Sequence, residues 1–156
     1  MSKSLKRVVA ALNDAQITVN MLEMDADTRT AQQAADAAGC ALDQILKSII
    51  FLGEESQRAI LFMTAGGNQV DPHKASRLAG EKLGKADAAL IRAQTGFAIG
   101  GVAPIGHLTP VRSFLDPRLL DFPLIWAAGG TPRHIFQIDP NVFQNIFDTQ
   151  IADFTV

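Results

Sequence analysis

A glycine-rich segment without charged residues is the least ordinary stretch of this sequence. Gly96, Gly100, Gly101, Pro104 and Gly106 fall between positions 96 and 106. Glycines expose backbone N–H groups that can hydrogen-bond a carbonyl oxygen or an oxyanion, and proline fixes the local backbone. The segment is therefore either a loop that holds a ligand or a tight connection between strands. It lacks Gly-x-Gly-x-x-Gly and the Lys-Ser or Lys-Thr ending of a phosphate-binding loop, so it is not a nucleotide fingerprint.

Lys47 is the second candidate, because it lies inside the apolar run from Ile45 to Phe51. A buried ammonium group without a partner is costly, so this lysine needs an anion nearby. The anion could be a phosphate of a substrate. The alternative is an ordinary strand lysine whose aliphatic stem lies along the surface while its charge stays in water.

The remaining reactive residue types are few. His73, His107 and His134 are the only histidines and Cys40 is the only cysteine, and their spacing fits no metal-binding motif. Only His107, beside the glycine-rich segment, and His134 remain as secondary candidates for contact with a ligand. The sequence also lacks a Ser-centred nucleophile elbow and a close carboxylate pair. Any hydrolysis would depend on positioning, with no metal and no cofactor.

The composition limits the class of protein. The chain has 156 residues, 47% of them hydrophobic, which predicts one domain over residues 1–156. The net charge of −2 and the lack of a helix-turn-helix pattern argue against sequence-specific DNA binding. The apolar runs are too short to span a membrane, and the N-terminal segment does not match a signal peptide. A single cysteine fits a reducing compartment, so a cytoplasmic location is expected.

The elements that position these residues follow from local patterns. An amphipathic helix capped by Ser4 is predicted at the N-terminus, then a strand over Ile17–Leu22. A capping box of Thr30 and Gln33 predicts a helix that ends at Gly39. Two runs, Leu46–Leu52 and Ala59–Ala65, predict a hairpin that puts Lys47 at the start of a strand.

Helix starts and a second hairpin complete the prediction. Three Asp-Pro pairs, at 71–72, 116–117 and 139–140, are typical of helix starts. Leu124–Ala128 and His134–Ile138 predict two further strands joined across a turn that contains Gly129 and Gly130. Short hairpins with interspersed helices favour an α+β fold, with a mixed, largely antiparallel sheet or barrel and surrounding helices.

Three segments, in this order, resemble the YbaK/EbsC family of free-standing aminoacyl-tRNA editing domains. They are residues 45–51 around Lys47, residues 95–106 of the glycine-rich segment, and Ala127-Ala128-Gly129-Gly130. The chain is also similar to the editing domain inserted in bacterial prolyl-tRNA synthetases. The resemblance covers nearly the whole chain and implies a pocket for the aminoacylated terminal adenosine of tRNA.

The resemblance also implies roles for individual residues. Lys47 matches the family's functional lysine, which engages the phosphate backbone near the terminal nucleotide. Gly100, Gly101, Val102, Ala103 and Pro104 match the family's Gly-x-x-x-Pro loop, whose backbone positions the aminoacyl group. Gly129 and Gly130 match a second glycine turn at the pocket. Here Ala128 replaces a serine found in some members, so a hydroxyl contribution from that position is lost.

Two functions remain open at this stage. The first is a trans-editing hydrolase that removes a small amino acid from mischarged tRNA, with Ala- or Cys-tRNA(Pro) as candidate substrates and an oriented water as nucleophile. The partner is then the 3′ acceptor end of aminoacyl-tRNA, and an aminoacyl-tRNA synthetase is a candidate second partner. The alternative is a module that binds aminoacyl-tRNA, a nucleotide or a synthetase without turnover. Neither the amino acid nor the tRNA follows from the sequence.

Overall fold

Two β-sheets and five α-helices form an α+β fold in the computed structural model, which describes residues 2–27 and 30–156. The helices are α1 (Lys3–Asp14), α2 (Ala31–Ala38), α3 (Pro72–Ala79), α4 (Ala88–Thr95) and α5 (Asn141–Asn145). The strands are β1 (Met21–Glu23), β2 (Leu46–Gly53), β3 (Ala59–Ala65), β4 (Leu83–Lys85), β5 (Arg112–Leu115), β6 (Ile125–Ala128), β7 (His134–Ile138) and β8 (Gln150–Ile151). Short 3₁₀ helices lie at Leu42–Gln44 and Pro117–Asp121.

The larger sheet is mixed and has the strand order β4-β2-β3-β5-β8. Strand β2 pairs antiparallel with β3 and β4, whereas β5 pairs parallel with β3 and β8. The smaller sheet, β1-β7-β6, is antiparallel. A single parallel bridge between Ile45 and Trp126 connects the two sheets in the described part of the chain, so they do not close into a barrel. The sheet alternative of the predicted fold is confirmed and the barrel alternative is wrong.

The predicted hairpins and most helix caps are confirmed. Lys47 is the second residue of β2, opposite Thr64 in β3. Helix α2 has the complete Thr30–Gln33 capping box and ends at Gly39 with φ 68°. Asp71 caps α3, and Asp116 caps the second 3₁₀ helix.

Several predicted boundaries differ from the structure. Helix α1 is capped by Ser2, whose hydroxyl accepts from Leu5 N–H, rather than by Ser4. The strand predicted over Ile17–Leu22 is a β-strand only at Met21–Glu23, where β7 supplies its partner. Ile17 and Val19 still pack against the core, because alternation fixes burial even where no ladder forms. Helix α5 begins at Asn141, and the N–H of Asn141 donates a hydrogen bond to the side chain of Asp139.

The core lies on both faces of the larger sheet. Helix α1, the glycine-rich segment and the smaller sheet cover one face, through side chains such as Val8, Phe97 and Phe136. Phe62, Phe114 and Phe154 pack together on the other face with α3. A third small cluster, of α2 with Ile45 and Trp126, lies where the two sheets meet.

Candidate functional site

A cavity of about 520 Å³ opens where the two sheets meet. Helix α2, the start of β2, the glycine-rich segment and the end of β6 form its walls. We call this cavity the junction pocket. It is lined by Thr30, Ala31, Gln32, Ala34, Leu42, Ile45, Leu46, Lys47, Ser48, Ile49, Gly66, Gly100, Val102, Trp126, Ala127, Ala128 and Ile135. The three segments that resemble the editing family therefore contribute to one pocket.

Lys47 is half-buried in the wall of this pocket. Its Nζ donates a hydrogen bond of 2.5 Å to the carbonyl oxygen of Asn68, in the turn after β3. Among the described residues, no carboxylate lies within 4.0 Å of this ammonium group. One of its three N–H donors is thus engaged, and the charge remains available to an anion entering the pocket.

A buried carboxylate holds the turn that anchors Lys47. Asp116 is 2% exposed and accepts hydrogen bonds from Ala65 N at 3.1 Å, Asn68 Nδ2 at 2.9 Å and Arg118 N at 3.0 Å. The sequence predicted only the helix cap at Asp116. Its second oxygen fixes Asn68, so Asp116 positions Lys47 indirectly, a role that the local Asp-Pro pattern does not reveal.

Burial lowers the pKa of Lys47, because removal from water disfavours the charged form. The carboxylates of Asp116 and Asp43 act in the opposite direction and stabilise the cation. The side chain of Asp43 is itself held by Arg118, at 3.0 Å, and by Gly67 N–H, at 2.8 Å. Lys47 is therefore a partly desolvated cation. Its reduced contact with water strengthens the attraction for an added phosphate, while the carboxylates of Asp43 and Asp116 oppose that attraction.

The glycine-rich segment connects α4 to β5, and two of its residues line the junction pocket. Gly100 is exposed and has φ 90°, a backbone angle that favours glycine, while Val102 is buried. Gly101 turns the other way: a Cβ on it would lie 2.8 Å from the backbone carbon of Thr131. Gly101 is thus where this loop packs against the turn between β6 and β7.

The structure places Ala103 and Pro104 behind the pocket rather than in its wall. Both are buried, and Pro104 lines a separate cavity together with His107. The Ala103 carbonyl accepts from His107 Nε2 at 2.8 Å. Burial lowers the pKa of His107, which favours a neutral imidazole packed edge-on against Phe97. This histidine braces the loop from behind.

Gly129 and Gly130 are buried at the turn after β6, next to the pocket residues Ala127 and Ala128. Gly130 has φ 100°, and a Cβ on it would lie 2.8 Å from the Ser4 carbonyl oxygen of α1. These glycines allow close packing behind the pocket wall. His134 follows the turn, where Nδ1 lies 2.6 Å from Thr131 Oγ1 and Nε2 lies 4.0 Å from Glu23.

Arg7 of α1 was not predicted as a site residue, yet it ties the glycine-rich loop together. Its guanidinium group donates to the carbonyls of Gly96 and Gly106, and it lies 5.0 Å from the centroid of the Phe97 ring. Both ends of the loop are therefore anchored to one side chain. A basic residue on an amphipathic helix is too common to have indicated this in the sequence.

Ser48 is the second missed residue. It follows Lys47, shares a strand face with the core residues Leu46 and Ile50, and lines the pocket. Its Oγ is the only buried side-chain oxygen or nitrogen in the described chain without a hydrogen-bond partner. Buried hydroxyls normally have partners, so this exception makes Ser48 Oγ a candidate contact for a ligand. A polar residue on the inward face of a strand was the available sequence signal.

The described residues contain no group of three or more His, Cys, Asp or Glu side chains placed to hold a metal ion. None of the helices in residues 2–27 and 30–156 is long and apolar enough to cross a membrane. In the lining of the junction pocket, the titratable side chain is that of Lys47. The polar groups available there include one cation, one buried hydroxyl without a partner and backbone dipoles.

A family model for the aminoacyl-tRNA editing domain matches residues 25–146, and the chain belongs to that family. The resemblance to YbaK-type domains is thereby confirmed. The chain is also 31% identical over 121 residues to the uncharacterized protein YwhH of Bacillus subtilis (strain 168). The match covers 78% of this chain and 76% of YwhH.

Solved structures agree with this assignment. A crystal structure of a "putative trans-editing enzyme for prolyl tRNA synthetase" has 43% sequence identity and a TM-score of 0.92, covering 100% of this chain and 99% of that one. The crystal structure of hypothetical protein APE2540 has a TM-score of 0.89, with coverage of 96% and 99%. Its identity is 23%, so it supports the fold alone.

Proposed function

We propose that this protein hydrolyses the ester bond of mischarged aminoacyl-tRNA that carries a small amino acid. Water adds to the ester carbonyl, the bond to the ribose oxygen breaks, and free amino acid and tRNA are released. The observation that carries the proposal is that Lys47 and the backbone of Gly100 line one pocket. We further propose that residues 1–156 act as one editing domain, in the cytoplasm, where tRNA is charged.

The residues in and behind the pocket have different roles in the proposed reaction. Lys47 pairs with a phosphate near the 3′ end of the tRNA, which supplies the anion that its apolar strand requires. The N–H groups of Gly100 and Val102, in the glycine-rich loop, polarise the ester carbonyl and stabilise the developing oxyanion, whereas Gly101 N–H donates to the Ala98 carbonyl oxygen at 3.1 Å. Arg7 and His107 hold the loop rigid, and rigidity is what makes fixed dipoles effective.

The apolar lining limits the amino acid. Val102, Ala127 and Ile135 offer contact to a short side chain, and no described lining residue carries a carboxylate. Alanine and cysteine are the residues we propose, with tRNA(Pro) as carrier. The relation to a structure assigned to prolyl-tRNA synthetase trans-editing supports this carrier, and prolyl-tRNA synthetase is the proposed second partner.

A panel of charged tRNAs tests the function directly. We expect release of free amino acid from Ala-tRNA(Pro) or Cys-tRNA(Pro), after subtraction of spontaneous hydrolysis, while Pro-tRNA(Pro) is spared. The same panel is measured with prolyl-tRNA synthetase added. The second candidate is a binding module, favoured by the lack of a side-chain base in the described pocket lining. Tight binding of charged tRNA without release of amino acid would select that candidate over the hydrolase.

Replacement of Ser48 by alanine has effects of opposite sign on stability and on activity. The unpartnered hydroxyl costs about 1 to 3 kcal/mol in the free protein, so Ser48→Ala should leave the melting temperature unchanged or raise it. If Oγ meets the substrate, kcat/KM should fall roughly three- to tenfold. Ser113→Ala is the control, because that hydroxyl is already paired with Thr149 at 3.0 Å. Unchanged kcat/KM in Ser48→Ala would remove Ser48 from the site.

A further inference from the structure

The chain's single tryptophan, Trp126, stands in the wall of the junction pocket and has no part in the ester chemistry described above. It is the one aromatic side chain among the pocket-lining residues of the described chain. Six of the nine phenylalanines are fully buried in the core, namely Phe62, Phe97, Phe114, Phe136, Phe143 and Phe154. The indole is therefore the aromatic surface that a ligand in this pocket can reach.

Helix α2 packs against the indole. Trp126 packs against Ala34, Ala35 and Ile45, and its backbone forms the bridge that joins the two sheets. The side chain is half-buried, so part of it remains accessible. Its Nε1–H makes no hydrogen bond within the described chain and is not buried, which leaves a free donor at the pocket. A ring that is held by packing and still partly exposed needs little reordering to receive a planar ligand.

The other pocket groups indicate which planar ligand fits. The cation of Lys47 lines the same cavity and suits a phosphate, and the cavity volume of about 520 Å³ is that of a site for a nucleoside-sized molecule. Protein aromatics bind single-stranded nucleic acid by stacking on successive bases, whatever the base. An aromatic face and a phosphate-binding cation in one pocket match a nucleotide at a single-stranded end.

We propose that Trp126 is the stacking platform for the terminal adenine base of the tRNA. This inference rests on the proposed function and adds the residue that positions the nucleoside. With the base on the indole and the phosphate on Lys47, the ribose ester is directed toward Gly100 and Ser48. Trp126 is thus a binding residue, and its loss should weaken substrate binding more than it slows the chemical step.

The test uses oligonucleotide probes that carry no amino acid, together with the intact protein. The probes are the trinucleotide CCA and the same molecule with an abasic third position, each also carrying a 5′-fluorescein for anisotropy. Because Trp126 is the only tryptophan, wild-type fluorescence reports directly on its surroundings. We expect CCA to quench this fluorescence saturably and to bind roughly ten- to a hundredfold more tightly than the abasic probe.

Two variants separate stacking from packing. Trp126→Leu keeps an apolar contact with α2 but removes the aromatic face, and we expect CCA binding to weaken roughly ten- to a hundredfold. Trp126→Phe keeps a smaller aromatic face and should bind CCA within roughly threefold to tenfold of wild type. Melting curves check that both variants are folded. The proposal is overturned if CCA binds Trp126→Leu as tightly as wild type, if both probes bind equally, or if CCA does not bind saturably.

Turnover on charged tRNA then distinguishes this inference from the proposed function. In Trp126→Leu, KM should rise while kcat at saturation stays within roughly threefold of wild type. If wild type hydrolyses charged tRNA and Trp126→Leu has an unchanged KM, the stacking role is wrong and the hydrolase stands. If CCA quenches Trp126 but no charged tRNA is hydrolysed, the hydrolase is wrong and the nucleoside site stands.

Discussion

Replacement of Lys47 by alanine is expected to lower kcat/KM for mischarged tRNA roughly ten- to a hundredfold while leaving the protein folded. The expected loss is that of a charge-assisted contact, about 1.5 to 3 kcal/mol. Stability should change by only about 1 kcal/mol, since Nζ makes one hydrogen bond, to Asn68. The carboxylates of Asp43 and Asp116 keep their other donors, so no buried charge is orphaned. Initial rates of amino acid release and urea unfolding curves measure the two quantities.

Lys85→Ala is the matched control for this prediction. Lys85 lies on β4 of the same sheet, opposite Phe51, and is exposed. Its removal lowers the net charge equally but leaves the junction pocket intact. Comparable losses in both variants would indicate general attraction of tRNA rather than a contact at Lys47, and full activity in Lys47→Ala would reject its role outright.

The lowered pKa of Lys47 predicts how the activity changes at alkaline pH. Burial lowers the pKa of Lys47 from the ordinary lysine value of 10.5, so its charge is lost at lower pH than that of an exposed lysine. Enzymatic activity, corrected for spontaneous ester hydrolysis, should therefore fall as the pH rises through this lowered pKa. Lys47→Arg keeps its charge throughout the range and should move the fall to higher pH.

The second large effect is expected at Gly101. A Cβ at this position would lie 2.8 Å and 2.9 Å from backbone atoms of Thr131 and 3.0 Å from the nitrogen of Pro132. Backbone cannot rotate away as a side chain can, so Gly101→Ala must push the loop off the turn between β6 and β7. A displacement of about 1 Å in a positioning loop can cost about a hundredfold in rate, and we expect a loss of that order in kcat.

We therefore expect Gly101 to act through the packing of the loop rather than through direct contact with the aminoacyl group. The glycine faces the Thr131–Pro132 backbone, and the pocket is reached by its neighbour Gly100. Gly80→Ala is the control: it has φ 76° and open space around a Cβ, at the end of α3 and outside the pocket lining. It should lose stability but not activity. A folded Gly101→Ala protein with normal kcat would contradict the assigned packing role.

The elements that were predicted correctly are those that depend on short-range patterns in the sequence. The β2–β3 hairpin, the Thr30 capping box and the Asp71 and Asp116 caps depend on residues a few positions apart, so they can be seen in the sequence. The strands β4, β5 and β8 were not predicted. They contain two to four residues and pair with distant partners, so no local period distinguishes them.

The candidate site also has a part that the sequence predicted and a part that it did not. Composition and spacing indicated Lys47 and the glycine-rich loop one at a time, because a cation in an apolar strand and a cluster of glycines are unusual by themselves. Only the tertiary structure decided that Lys47, Gly100 and Trp126 share a pocket, since the bridge between Ile45 and Trp126 joins elements far apart in sequence. Which glycine faces ligand and which faces backbone, and which hydroxyl lacks a partner, depend on packing from several elements at once. Such contacts leave no periodic pattern along the chain, so they could not be predicted from the sequence.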